Sequence, residues 1–265
     1  MSLVFGAICP HPPILIPKIG KSDLNKVRKT IQALLNLEKK LIATKPDIII
    51  ILSPHGLLET DKFTILGAKN LFGDFNQFGD WQTKMIFRND LELSRSIQKE
   101  SLKNNLPVDV IDVSSLDHGV LVPLFYLTSG KLDNLPIVCM GYSLLSNNIH
   151  FKFGQIIKNA IRKNKKRVAF IASGDLSHRL IPSAPAGYSP EGQKFDKKII
   201  DLIEKGKNNE IIGLDRDFTE HAGECGLRSI IVLLGILDKM KNEPEILSYE
   251  GPFGVGYLVA NFKIK

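Results

Sequence analysis

Four of the six histidines follow short apolar runs that are typical of buried β-strands. They are His11 in CPHPP, His55 in SPHG, His118 in LDHG and His178 in SGDLSH. Neutral imidazole binds zinc, iron, copper and nickel, and it exchanges protons near neutral pH. A single loop histidine is more often a surface residue, but four in equivalent positions favour a shared site. The neighbouring Gly, Pro, Ser and Asp residues are types that hold a loop in one conformation.

The segment TEHAGECGLRS contains the residues that could complete such a site. Two histidines and one carboxylate form the facial triad of non-haem Fe(II) centres, and Glu220 and Glu224 are the candidate carboxylates. Glu224 lies between two glycines where a helix is predicted to begin. It could instead be a helix-terminus charge stabilised by the dipole. Its neighbour Cys225 is an alternative thiolate ligand.

Hydrolytic chemistry is a further hypothesis for the same residues. Ser173, Asp175 and His178 lie together in SGDLSH, but a G-x-S-x-G nucleophile elbow is absent from the sequence, which argues against a serine hydrolase. A zinc-activated water, with Glu220 or His178 as the base, remains open.

Apolar runs alternate with amphipathic helical patterns along the chain. Asp47–Ser53 and Arg167–Ala172 are unalternating runs of the kind found in parallel strands covered on both faces. This alternation predicts a single α/β domain over residues 1–265, a sandwich with a mostly parallel central sheet covered by helices and antiparallel edge strands. The section from Lys62 to Arg88 and the C-terminal strands are predicted to build the antiparallel edge. Because parallel strands end at one edge of a sheet, the four histidine loops are predicted to meet there.

The composition excludes several classes of protein. The 265 residues are 43% hydrophobic and 24% charged, which is ordinary for a globular chain. The net charge of +7 comes from dispersed lysines, so no nucleic-acid partner is predicted. No apolar run approaches the roughly 20 residues that span a bilayer, and no membrane partner is predicted. Three widely spaced cysteines and an N-terminus without a basic signal region predict a cytoplasmic protein.

The ordered motifs resemble those of a known family. HPP, SPHG, LDHG with the following VLVPL, SGDLSH and AGECGLRS occur in the order seen in LigB-type class III extradiol ring-cleavage dioxygenases. The resemblance spans His11 to Gly256 and is closest to the single-chain branch associated with the AmmeMemoRadiSam group. By motif, it implies Fe(II) held by His11, His55 and Glu224.

The same resemblance implies roles for the other two histidines. His178 matches the catalytic acid/base, and His118 matches the histidine that touches substrate or bound oxygen. The implied activity is that of a cytoplasmic, non-haem Fe(II)-dependent dioxygenase that inserts O₂ into a catechol-like ring. Zinc is a possible substitute metal, the expected partners are a small aromatic diol and O₂, and a homo-oligomer is possible.

Two alternatives stay open beside that activity. In a Memo-like metal-binding protein without ring cleavage, Cys225 rather than Glu224 would complete the site. The other alternative is the zinc-dependent hydrolase on the same scaffold. A loop rich in aromatic residues could line an aromatic substrate site, although covering one end of the core is the favoured interpretation. Its aromatic residues are Phe72, Phe75, Phe78 and Trp81.

Overall fold

The computed structural model describes residues 3–130, 132 and 134–265. Within these residues the strands are β1 Leu3–Cys9, β2 Ile48–Ser53, β3 Phe63–Leu66, β4 Asn70–Phe75, β5 Asp80–Arg88, β6 Val108–Ile111, β7 Ile137–Gly141, β8 Val168–Ser173, β9 Asn242–Glu250 and β10 Tyr257–Ile264. The α-helices are α1 Pro17–Gly20, α2 Arg28–Ala43, α3 Leu91–Lys103, α4 His118–Leu127, α5 Asn147–Lys163, α6 Pro190–Glu204, α7 Asn208–Ile212, α8 Arg216–Ala222 and α9 Leu227–Leu237.

Eight of the strands form one sheet in the order β6-β3-β7-β2-β8-β1-β10-β9. The central strands β7, β2, β8 and β1 are parallel, whereas β3 is antiparallel to β7 and β10 is antiparallel to β1. The predicted fold class, a mostly parallel sheet with antiparallel strands toward the edges, is therefore confirmed. That the domain comprises all of residues 1–265 stays a prediction.

Helices cover both faces of this sheet. Side chains of α3, α5, α6 and α9 pack on one face, and side chains of α2 and α4 pack on the other. Strand β2, with the sequence IIIILS, is buried at every position because its β-branched side chains contact helices on both sides. Among the described residues, no helix combines the length and apolarity needed to cross a bilayer.

The segment between β3 and α3 differs from the prediction. The region from Lys62 to Arg88 was expected to build an antiparallel edge of the main sheet. Strand β3 does join the sheet, but β4 and β5 pair with each other as a separate two-stranded sheet. This hairpin packs over the face that carries α4, where Leu71 and Phe75 are fully buried.

The prediction that each of the four histidines follows a strand of one parallel set was wrong for His118. Strand β6 is parallel to β3, which is antiparallel to β7, so β6 runs against the four central strands. The chain returns beside β4, where Leu116 N–H donates to the carbonyl of Phe72 at 2.8 Å. His118 then begins α4. Only His11, His55 and His178 follow central parallel strands.

Candidate metal centre

Three side chains from separate loops converge beyond the carboxyl ends of β1 and β2. The donor atoms of His11, His55 and Cys225 all lie within 4.8 Å of one another. The Nε2 atoms of the two histidines are 3.0 Å apart, and Sγ of Cys225 lies 3.7 Å from Nε2 of His11. Two imidazole nitrogens and a sulfur at such separations are a donor set that suits zinc, iron or copper.

A serine fixes the tautomer of His11. The Ser173 hydroxyl donates its proton to the carbonyl of Gly119 and lies 2.8 Å from Nδ1 of His11. Because a hydroxyl has a single proton, Nδ1 of His11 must be the donor in that contact. Its Nε2 therefore carries a lone pair toward the cluster, which is the form a metal ligand needs.

His55 lies at the exposed side of the same cluster. The Nε2–H of His55 donates to the lone pair on Nε2 of His11. Its backbone N–H donates to Ser53 Oγ at 3.2 Å, and that hydroxyl donates to Asp117 Oδ1 at 2.6 Å. Gly119 permits this arrangement, because a Cβ there would meet Ser53 Oγ at 2.3 Å.

His118 stacks on His55, with ring centroids 4.3 Å apart and planes 27° from parallel. Phe78 touches the other side of His118 at 5.2 Å between centroids. Burial, assisted by the neighbouring His55, lowers the pKa of His118 to about 4. His118 is therefore neutral at pH 7, so it can donate or accept a hydrogen bond but is a poor proton source.

His178 has a defined tautomer as well. Its Nδ1 lies 2.9 Å from the carbonyl oxygen of Gly223, which can only accept, so Nδ1 carries the proton and Nε2 is left with a lone pair. Burial lowers the pKa of His178, although the bond to Gly223 opposes the shift. The ring is half-buried and neutral at pH 7, as a general base requires.

Cys225 is held against the segment that follows β8. Its N–H and that of Gly226 donate to the carbonyl of Asp175 at 3.3 and 2.9 Å, and the Asp175 N–H donates to Sγ at 3.3 Å. The two backbones approach so closely that a Cβ on Gly174 would lie 2.2 Å from the Cα of Gly226. This close approach of two glycines brings the thiol to the cluster.

Asp175 lies nearer to the cluster than its place in the motif suggested. Its Oδ1 accepts the backbone N–H of His11 at 3.0 Å, and its Oδ2 lies 3.8 Å from Nε2 of the same histidine. Burial raises the pKa of Asp175 to about 7. A cation bound by His11 would offset that cost and favour the carboxylate.

The family motif assigns the Glu224 carboxylate to the metal. In the structure this carboxylate lies outside the group of donor atoms of His11, His55 and Cys225. Its Oε2 accepts the N–H of Leu227 at 2.6 Å and so satisfies a free amide of the first turn of α9. Glu224 lines a separate cavity with Arg228. Burial raises the pKa of Glu224 to about 7. Its assignment as a metal ligand stays a prediction.

Sequence reasoning identified the histidines and Cys225 but named Ser173 only as part of a hydrolytic motif. Its contact with the ring of His11 carries no signal in the sequence, because it depends on the carbonyl of Gly119 from another loop. Asp117 accepts from the Ser53 hydroxyl.

Comparison with known proteins identifies the family of this chain. Residues 6–260 match the family described as the catalytic LigB subunit of aromatic ring-opening dioxygenase. The chain belongs to the LigB family.

Proteins similar to this chain differ in how much of their sequence and length they share with it. Protein CA_C1420 of Clostridium acetobutylicum is 35% identical over 97% of this chain, which spans 57% of that protein's length. The 3,4-dihydroxyphenylacetate 2,3-dioxygenase of Escherichia coli is 26% identical over 59% of this chain and 60% of its own length. The fold resembles that of the uncharacterised protein JW3007 of Escherichia coli K12, with a TM-score of 0.66 and 13% identity over 97% of this chain and 99% of the other.

Proposed function

We propose that this LigB-family protein is a non-haem, Fe(II)-dependent extradiol dioxygenase that cleaves a catechol-like ring. The observation that carries the proposal is the convergence of His11, His55 and Cys225 beside two neutral histidines, His118 and His178. Both oxygen atoms of O₂ enter the ring-opened product, so the overall reaction needs no external reductant. We also take the protein to act in the cytoplasm and leave a homo-oligomer open.

The ligand residues would hold the iron from one side. A bound Fe(II) would supply a Lewis acid that lowers the pKa of the diol hydroxyls and holds both reactants in contact. His11 and His55 present imidazole nitrogens, and Cys225, Asp175 or Glu224 would supply the third donor. Because Nε2 of His11 and Nε2 of His55 face each other at 3.0 Å, metal binding would require His55 to move its proton to Nδ1. Burial lowers the pKa of this ring overall, although the nearby Asp117 carboxylate raises it.

His178 would move the substrate protons. Its Nε2 is free because Nδ1 is bonded to Gly223, so it can accept the proton of a diol hydroxyl and return it when the ring opens. His118, which is neutral and stacked on His55, would orient the substrate by a hydrogen bond. These roles follow the resemblance and are consistent with the tautomer and protonation of each ring.

A second candidate function is favoured by Cys225. A His₂Cys donor set suits zinc or copper as well as iron, and a protein that only holds such a metal would need no substrate. Burial raises the pKa of the Cys225 thiol, so a metal must displace its proton on binding. This is the Memo-like alternative, in which metal binds tightly and no ring is opened.

The first experiment measures the metal content of anaerobically purified protein. We expect about one iron per chain in the wild type and a loss in His11→Ala and His55→Ala. Cys225→Ser, Asp175→Asn and Glu224→Ala identify the third ligand. His221→Ala is the matched control, because His221 is exposed on α8 and outside the cluster.

The second experiment measures O₂ consumption and the yellow ring-opened product with a panel of catechols. Stoichiometric O₂ uptake that is lost in His178→Ala supports the dioxygenase. Tight metal binding with no turnover of any diol favours the Memo-like function. Turnover of an ester or amide without O₂ uptake would indicate the zinc hydrolase. If the protein holds no metal after reconstitution, all three metal-dependent functions are wrong.

A further inference from the structure

A cavity of about 430 Å³ opens beside His55, under the hairpin of β4 and β5. His55 and Asp117 form the end of the cavity nearest the cluster, and apolar side chains form much of the rest. A single catechol ring would fill only part of this volume, so there is room for a substituent on the ring. The apolar wall includes Leu57, Leu66, Phe72, Leu116, Val120 and Met140.

The charged groups of this wall are acidic. Asp74 and Asp117 line the cavity, and no Lys or Arg is among the wall residues that the structure describes. This is unexpected in a chain with a net charge of +7. The basic residues are therefore placed elsewhere on the surface, and the cavity carries a negative potential.

Neither carboxylate is neutralised by its partners. Asp74 accepts from the N–H and the side-chain amide of Asn76, both at 3.0 Å, and Asp117 accepts from the Ser53 hydroxyl at 2.6 Å. These donors are uncharged, so both negative charges remain to act on a ligand. A carboxylate placed in this cavity would lose hydration and meet two like charges, and no Lys or Arg of the described lining would offset them.

We propose that this cavity binds the substituent of the aromatic diol and selects neutral or ammonium-bearing substituents against carboxylates. The inference rests on the proposed function for the choice of ring and names the substrate class more narrowly. The proposed preference differs from the substrate in the name of one relative, since 3,4-dihydroxyphenylacetate is an acid. A primary amine two carbons from the ring would be attracted by Asp74 and Asp117, while the apolar wall covers the linker.

A second cavity has basic side chains in its wall. Its volume is about 620 Å³, and it is lined by Arg216 and Arg228 together with Glu220 and Glu224. Arg216 is paired with Glu220 at 2.7 Å, whereas Nε of Arg228 is buried with no partner among the described residues. Arg228 is therefore the cation that an acidic ligand would meet there, and this cavity is the alternative site to test against the acidic one.

The experiment compares three diols of similar size: dopamine, 4-ethylcatechol and 3,4-dihydroxyphenylacetate. Their dissociation constants are measured by calorimetry on Zn(II)-loaded protein without O₂, so that binding is read without turnover. We expect dopamine and 4-ethylcatechol to bind about tenfold more tightly than the acid. With Fe(II) and O₂, kcat/KM is expected to follow the same order.

Variants that change the charge of the cavity wall test whether the substituent binds in this cavity. Gln77 lines the cavity on the hairpin and is exposed, so Gln77→Lys adds a positive charge without disturbing the core. It is expected to strengthen binding of the acid and weaken binding of dopamine, each about three- to fivefold. Asp74→Asn should shift both constants in the same directions by a smaller factor. The matched control is Gln193→Lys, at an exposed position of α6, and it should leave both dissociation constants unchanged.

The outcomes distinguish this inference from the proposed function. If the binding order holds but no ring is opened, the cavity assignment stands and the dioxygenase is wrong. If the acid binds as tightly as dopamine, or more tightly, the inference is overturned. A preference for the acid that is lost in Arg228→Gln would place the ligand in the second cavity. Failure of all three diols to bind at millimolar concentration also overturns it.

Discussion

Two polar clusters lie on either side of the segment from Asp175 to His178, and they differ in how their polar atoms are paired. The Asp196 cluster contains Asp196, Tyr249 and Ser177, and both oxygens of Asp196 accept strong hydrogen bonds, from Tyr249 Oη at 2.6 Å and from Ser177 N–H at 2.8 Å. The metal-facing cluster contains His11, His55 and Cys225. There, the Nε2 atoms of the two histidines face each other at 3.0 Å, and one of them must carry a proton, which His55 supplies.

The pairing of the Asp196 cluster is that of a structural site. It needs nothing from outside the chain, since each acceptor has a donor within it. The metal-facing cluster would have more acceptors than donors if His11 and His55 were both in the form that binds a metal, and a bound cation would then supply what is missing. Under the proposed function, the two clusters should therefore respond differently to substitution and to added metal.

The largest expected effect on the free energy of unfolding comes from removing a side chain that would bind the metal. With Zn²⁺ in about a thousandfold excess over its dissociation constant, binding should raise the free energy of unfolding of the wild type by about 4 kcal/mol. His55→Ala should abolish that rise, because the cluster loses a donor. Its metal-free stability should change little, since His55 is exposed. Urea unfolding with and without Zn²⁺ measures both, and an unchanged rise in the variant would contradict the assignment.

The next effect is a pH dependence that comes from Asp196. Burial raises the pKa of this carboxyl to about 6 in the folded protein, against 3.8 ordinarily. The folded state therefore holds the proton more tightly than the unfolded state. The stabilising contribution is fully present below about pH 4 and is lost as the pH rises through about 6, by about 3 kcal/mol.

The Asp196→Asn variant isolates this contribution. Its amide does not titrate, so the difference in unfolding free energy between wild type and variant should move by about 3 kcal/mol in the variant's favour between about pH 4 and pH 7. Denaturant unfolding at several pH values measures this difference. A constant difference across the range would show that Asp196 is ionised at an ordinary pKa.

A smaller loss is expected from Tyr249→Phe. This variant keeps the packing of the ring but leaves Oδ2 of Asp196 without its donor in a fully buried position. The cost should be about 1–2 kcal/mol at pH 7, and the pKa of Asp196 should rise further. Zn²⁺ affinity should be unchanged. If the affinity falls as far as in His55→Ala, the two clusters are coupled rather than separate.

The smallest effect distinguishes two roles of Glu224. Glu224→Ala removes the acceptor for the Leu227 N–H and should cost about 1 kcal/mol of stability. Glu224→Gln keeps an acceptor oxygen and should cost about half of that or less. If both variants keep full metal affinity, Glu224 only caps α9. A large loss of affinity in both would show that Glu224 turns toward the metal when one is present.

Much of the fold was predictable because some segments carry an unambiguous pattern. The run of isoleucines in β2 indicates a strand buried on both faces, and it is one. The positions of His11, His55 and His178 followed from that strand type, since each histidine follows a central parallel strand. The ordered motifs added the family, which the comparison with the LigB model supports.

The remaining features depend on contacts between distant segments. The direction of β6 is set by its pairing with β3, so the sequence of Val108–Ile111 could not show that it runs against the central strands. Which of Glu224 and Cys225 faces His11 is likewise set by backbone geometry. Adjacent side chains at a helix start point in different directions, and the approach of Gly226 to Gly174 decides that the thiol faces His11.

The position of β8 in the sheet has a consequence for when the site can exist. Strands β1 and β2, which carry His11 and His55, are not neighbours, because β8 lies between them. The two imidazoles are thus held at contact distance only after residues 168–173 have been synthesised and inserted, and the cysteine comes 214 positions after His11. At about 5–20 residues per second, the emerging chain spends many seconds without a complete set of donors. Under the proposed function, metal acquisition is therefore a late event in the life of each molecule, and a bound ion would report that both halves of the chain have folded together.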